Sequence, residues 1–119
     1  MEINEAVMAF SQSEKIKAGL IWASQSLELS QGLTPEEGRG SEATIHALLG
    51  MILQEVTLAM VLVRHDEWDG VLPPIEKAQV MIRSGVGHEA FMHLSKALSK
   101  VTNIGQQSMA LLKEKALLP

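Results

Sequence analysis

One long apolar stretch decides the fold of this chain: residues 41–65, which read SEATIHALLGMILQEVTLAMVLVRH. Apolar side chains recur in it at the 3–4 spacing of a helix face and form one stripe: Ile45, Leu48, Leu49, Ile52, Val56, Ala59 and Val63. A second apolar stripe lies well around the same helix and comprises Ala47, Met51, Leu58 and Leu62. A helix that is apolar on two sides is buried on two sides. The pattern predicts one contact with the bundle and another with either a further helix of the chain or a second subunit.

The same stretch is long enough to raise the possibility of a membrane span. His46, Gln54 and Glu55 lie inside it, however, and polar groups of this kind are costly in a bilayer. We therefore expect no membrane partner. Glu55 is a lone acid among apolar residues, and we expect it at the edge of the two stripes, paired with a lysine, an arginine or water. A buried catalytic acid with a raised pKa is the alternative.

The segment before this helix, residues 5–31, is predicted to form another long helix. We expect this helix to be unbroken. Ser11 and Glu14 have the spacing of a capping box, so a helix that starts there is the alternative. Residues 32–40 contain three glycines and a proline and are predicted to form a loop, with one helical turn at most.

The sequence after residue 65 predicts two more helices. Residues 66–70 form an acidic turn with one anchored tryptophan, Trp68, and a short third helix follows over residues 74–84. The last helix is predicted over residues 88–117, where Gly105 and Ser108 would let a neighbouring helix approach closely. The 119 residues fit one domain. We therefore predict an all-α, single-domain, four-helix up-and-down bundle over residues 1–119, with a short third helix.

Composition excludes several classes of function. The chain has no cysteine, so disulfides, thiolate metal sites and cysteine nucleophiles are absent. Its first five residues, MEINE, lack the basic and apolar regions of a signal peptide, and we expect a cytoplasmic location. The net charge of −4 argues against a nucleic-acid partner. No cofactor is indicated by any motif.

Two segments share the pattern G-x-G-x-E-A-x-x-H, at residues 38–46 and 85–93, and each is predicted to lie where a loop meets a helix. A duplicated helical hairpin would explain the pattern, and so would the common use of glycine and glutamate where helices begin. The pattern contains two Glu-x-x-x-His pairs, Glu42 with His46 and Glu89 with His93. Residues four apart share a helix face, so these side chains are candidate metal ligands. Glu89 and His93, however, fall on the lysine-bearing side of the last helix.

Arg83 and His88 are separated by four residues at the entry to the last helix. The segment resembles the R-x4-6-H signature of HEPN domains, small helical bundles that include ribonucleases and toxin components. The resemblance covers six residues and implies that Arg83 would stabilise phosphate charge while His88 acts as acid or base. Ser84 stands where the family often has a polar Asn or Asp, and the two glycines depart from its pattern.

The prediction for function follows from the double apolar stripe and from the lack of a strong catalytic motif. We expect a non-enzymatic interaction or assembly protein that forms a homodimer through Ala47, Met51, Leu58 and Leu62, with a further protein partner as a possibility. The HEPN-like RNase or toxin–antitoxin component and the metal-binding bundle are the alternatives.

Overall fold

The computed structural model describes residues 1–63 and 66–115, and these residues form four α-helices. The helices are α1 (Ile3–Gln31), α2 (Pro35–Leu62), α3 (Leu72–Arg83) and α4 (Ala90–Glu114). Short 3₁₀ helices at Asp66–Gly70 and Gly87–Glu89 precede α3 and α4. The predicted all-α four-helix bundle with a short third helix is confirmed.

Each helix packs against two others, so that α1 contacts α2 and α4, and α3 fills the space between α2 and α4. The order is up-down-up-down. Gly105 of α4 lies beside Ser13 near the start of α1, and Gly87 lies beside Leu27 near the end of α1. The two helices are therefore antiparallel. Gly105 permits the close approach, as its sequence context predicts, because a Cβ there would lie 2.8 Å from the Ser13 Oγ.

The core runs along the inner stripe of each helix and ends under the first 3₁₀ helix. The inner face of α2 is buried as predicted, through Ile45, Leu49, Ile52, Val56 and Ala59. Trp68 is fully buried beneath the acidic turn, which confirms it as the anchor of that connection.

The start of α2 differs from the sequence prediction. Residues 35–40, predicted to form a loop, are the first turns of the helix. Thr34 caps this end because its Oγ1 accepts a hydrogen bond from the Glu37 N–H at 3.3 Å, and Pro35 occupies a first-turn position that suits it. Gly38 is buried beside the Ser30 carbonyl, so the glycine serves helix packing rather than a turn.

The other helix boundaries agree with the predictions to within a few residues. α1 runs without a break through Ser11 and Glu14. α2 ends at Leu62, three residues before the predicted end at His65, because Val63 is already extended (φ −131°, ψ 116°). α4 begins at Ala90 rather than His88 because a 3₁₀ turn comes first, and the predicted end at Leu117 lies outside the described residues.

The bundle is long and thin, with extents of 53 × 25 × 18 Å. Its radius of gyration is 15.6 Å, whereas a compact domain of this length has one of about 13.5 Å. Helices of 28 and 29 residues set the long dimension. A thin rod has much surface for its volume, and apolar side chains remain on it.

Candidate functional site

Between residues 43 and 62, the outward side of α2 carries one charge, at its edge, where the Glu55 side chain is 34% exposed and paired with Lys15. The exposed side chains there, which we call the α2 face, are Ala43, Thr44, Ala47, Met51, Gln54, Thr57, Leu58, Val61 and Leu62. They include all four residues of the predicted interface. Met51 is 62% exposed and Val61 is 75% exposed. At 1.5 Å per residue, the face is about 29 Å long.

A shallow groove between α1 and α2 extends the α2 face sideways. Trp22 of α1 is 63% exposed and lines this groove together with Leu48 and Met51, around a volume of about 270 Å³. Gly19 brings the two helices together, since a Cβ there would lie 3.2 Å from the Ile52 side chain. We call this feature, with Trp22 on one side and Met51 on the other, the apolar groove.

A polar clamp holds α1 and α2 together at the edge of the apolar groove. The Gln12 Nε2 donates hydrogen bonds to the backbone oxygen and to the Oε2 of Glu55, each at 3.1 Å. The Lys15 Nζ lies 3.2 Å from the same Oε2. Glu55 therefore meets a lysine, as predicted.

The hydrogen bond from Gln12, and then that from Lys15, lower the pKa of Glu55 below its ordinary value. The carboxylate is therefore charged at neutral pH. The pKa of Glu55 is therefore shifted downward, whereas a carboxyl group that acts as a general acid needs a raised pKa.

By length and composition, α2 is also the one helix in the described part of the chain that could cross a membrane. Of its most apolar 18 residues, 28% are buried inside the bundle. A core helix of a soluble protein passes the same test of length and composition, but such a helix is mostly buried. The low burial shows how much apolar surface of α2 the chain's own helices leave uncovered.

Arg83 and His88 lie on either side of a tight turn. Arg83 is the last residue of α3, and His88 lies in the 3₁₀ helix before α4. Gly85 between them has a φ of +82°, a left-handed conformation that favours glycine. Both side chains are exposed, and Arg83 lines a cleft in which His88 takes no part. The RNase role of this pair stays a prediction.

The two Glu-x-x-x-His pairs lie at the same end of the bundle but in different surroundings. Glu42 and His46 line the cleft that also holds Arg83. Glu89 is exposed, and His93 lines a separate groove among Lys77, Lys96 and Lys100. Among residues 1–63 and 66–115, no group of three or more histidine, aspartate or glutamate side chains is placed to hold a metal ion.

The repeated pattern adopts two different backbone structures. Its first copy, residues 38–46, is helical throughout. The second copy begins with the left-handed Gly85 and passes through the 3₁₀ helix before α4 starts. The expectation that both copies sit where a loop meets a helix is wrong for the first copy. The difference argues against a duplicated hairpin.

Sequence reasoning missed two exposed side chains that define these surfaces. Trp22 lies outside the core stripe of α1, so its position on the helical wheel could have placed it at the surface. Arg39 was assigned to a loop, whereas it lies one turn before Glu42 on α2 and joins the same cleft.

Comparisons with protein-family models, curated proteins and solved structures found no match.

Proposed function

We propose that this protein is a non-enzymatic assembly module that pairs with a second copy of itself through the α2 face and the apolar groove. The observation that carries the proposal is the uncharged, exposed α2 face beside the exposed Trp22. Solvent-exposed helix sides normally carry charged and polar residues. A contiguous apolar patch on a small soluble protein usually marks an interaction surface.

The free energy available from covering this surface is considerable. Burying a large apolar side chain completely contributes about 1.5–3 kcal/mol. Met51 and Trp22 are 62% and 63% exposed, so more than half of that gain remains unused at each. A twofold dimer would bury Met51 and Trp22 of both copies, so the gain in free energy from each residue would be counted twice.

The size of the patch suits a modest dimer interface. The α2 face is about 29 Å long, and two adjacent helices, whose axes lie about 8–10 Å apart, present a width of about 20 Å. The product is about 600 Å² for each copy, or about 1,200 Å² for the pair, which is at the lower end of stable interfaces.

A second copy fits this surface better than a membrane does. The chain has a net charge of −4, and Lys15 at the rim of the apolar groove is paired with Glu55, whereas helices that lie on membranes are rich in lysine and arginine. An uncharged face also opposes no like charges when it meets its own copy. Gln54 lies near the middle of the α2 face and could hydrogen-bond across a twofold axis, which would fix the register.

A pair of matched variants tests the proposal. Met51→Glu places a charge in the α2 face, and Met92→Glu makes the same change at a methionine of α4 that is 72% exposed and outside the proposed interface. The measurement is molar mass by light scattering at micromolar concentration. We expect twice 13.0 kDa for the native chain and for Met92→Glu, and 13.0 kDa for Met51→Glu.

Two outcomes contradict the proposal. One is a native chain that stays at 13.0 kDa. The other is a dimer that Met51→Glu and Met92→Glu leave equally intact. A monomeric native chain that floats with phosphatidylcholine vesicles would assign the α2 face to a membrane instead.

A further inference from the structure

A second surface, on the other side of α2, has a different chemistry. Near its start, α2 meets the end of α3 along an open cleft of about 460 Å³, which lies within the size range of small-molecule sites. We call it the arginine cleft. It is lined by Arg39, Glu42, Ala43, His46, Ile82, Arg83 and Gly85.

Two arginines line this cleft without an ion-pair partner among the described residues. Arg39 comes from α2 and Arg83 from the end of α3. Within the described parts of the chain, neither arginine forms an ion pair, although acidic residues outnumber basic ones by 14 to 10. Glu42 shares the cleft, and its Oε1 accepts a hydrogen bond from the Gln31 Nε2 at 3.4 Å. Two unpaired arginines in one cleft suit an oxyanion, because each can donate two parallel hydrogen bonds to it.

His46 provides an independent observation at the same place. Its Nε2 is buried and has no hydrogen-bond partner within the described structure. Buried polar atoms nearly always have a partner, although the Ser30 Oγ and the Trp68 Nε1 also lack one away from this cleft. Because the His46 Nε2 has almost no accessible surface, a ligand in the cleft would satisfy it after the imidazole turns toward the cleft. The backbone oxygen of His46 accepts a hydrogen bond from the Gln79 Nε2 at 3.3 Å, which ties this turn of α2 to α3.

The remaining walls limit the kind of ligand. Ala43 and Ile82 offer an apolar surface to an organic substituent. The carboxylate of Glu42 would repel a polyanion and can accept a hydrogen bond from a ligand hydroxyl or amine. By contrast, the groove lined by Lys77, Lys96 and Lys100 offers point charges, and no orphaned buried nitrogen has been found in it among the described residues.

We propose that the arginine cleft binds a small organic oxyanion, a phosphate monoester or a carboxylate, between Arg39 and Arg83, with His46 contacting the same group. The apolar part of the ligand would rest on Ala43 and Ile82. This site does not depend on self-association, because none of its described lining residues except Ala43 belongs to the α2 face.

Calorimetry at low salt tests the proposal, with phenyl phosphate and benzoate as probes and phenol as the neutral control. We expect saturable binding of at least one anion and none of phenol, and the tighter anion identifies the preferred oxyanion. Arg83→Gln should weaken that binding at least tenfold. Lys77→Gln is the matched control, because it removes the same charge from α3 outside the cleft, and it should leave the affinity within about twofold.

The His46 ring gives a second readout, since its nitrogen signals in NMR spectra should shift on titration with the bound anion. Arg83→Lys keeps the charge but loses the planar fork, and we expect an intermediate affinity. The proposal is overturned if neither anion binds saturably, or if Arg83→Gln and Lys77→Gln weaken binding equally. Equal weakening by the two variants would mean that the anion is attracted by the general charge of the surface and not bound in the arginine cleft.

Discussion

Gly105→Ala tests the contact between α1 and α4, and whether it stabilises or destabilises the fold depends on one oxygen atom, the Oγ of Ser13. A Cβ at position 105 would lie 2.8 Å from the Oγ of Ser13 and 3.5 Å from its Cβ. The hydroxyl is held in place because it donates a hydrogen bond to the Phe10 carbonyl at 2.8 Å, and Ser13 is 2% exposed. Gly105→Ala therefore forces either the helices or this hydroxyl to move.

The expected cost comes from two opposing effects. Separating the helices costs about 1–3 kcal/mol, and turning the hydroxyl away from its partner while it stays buried costs a similar amount. Alanine in a helix interior recovers about 0.5–1 kcal/mol relative to glycine. We expect Gly105→Ala to lower the free energy of unfolding by about 1 kcal/mol after these terms are combined.

Removing the hydroxyl should reverse the sign. In a Ser13→Ala background the remaining contact is the 3.5 Å one, which is ordinary van der Waals packing. Gly105→Ala should then raise the free energy of unfolding by about 0.5–1 kcal/mol. Urea unfolding of the four proteins at one fixed concentration gives the double-mutant cycle. An equal effect of Gly105→Ala in both backgrounds would refute the packing described for α1 and α4.

Two further predictions concern polar groups at the ends and edges of α2. Thr34→Ala should lower the free energy of unfolding by about 1 kcal/mol because the N-cap is lost. Ser95→Ala, at an exposed serine within α4 and outside the α2 face, should not lower it, and equal losses in urea titrations would argue against the cap. Because the folded-state pKa of Glu55 is lowered, its stabilisation is present above the unfolded value of 4.5 and is lost as the pH falls further. The difference in unfolding free energy between the native chain and Glu55→Gln should therefore shrink below that pH. A difference that stays constant down to pH 3 would show that the charge of Glu55 adds nothing to stability.

Hydrophobic periodicity carried the prediction of the fold, because a regular helix places every third or fourth side chain on one side. The two stripes of α2 are correctly separated: Ile52 and Val56 are buried, while Met51 and Leu58 are exposed. Periodicity alone could not say what covers the second stripe, because the pattern is the same for a core contact and for an interface between chains.

Glycine was the weak point of the sequence reasoning. Gly38 suggested a loop, but a helical glycine also allows close packing, and here it lies against the Ser30 carbonyl. Because α2 begins at Pro35 and not after residue 40, Arg39 lies on the helix and lines the arginine cleft. Glu42 and His46 were correctly placed on neighbouring helix positions, but their partners across the cleft depend on how α3 ends, which no local spacing encodes.

The claim that a second copy covers the α2 face is tested most directly by quenching of Trp22 fluorescence with acrylamide over a range of protein concentrations. Trp68 is fully buried and provides a constant background, which Trp22→Phe measures separately. We expect Trp22 to be shielded at micromolar concentration and to become accessible on dilution, as the pairs separate. Equal and high accessibility of Trp22 at every concentration would contradict the account, because the face would then be in contact with water throughout.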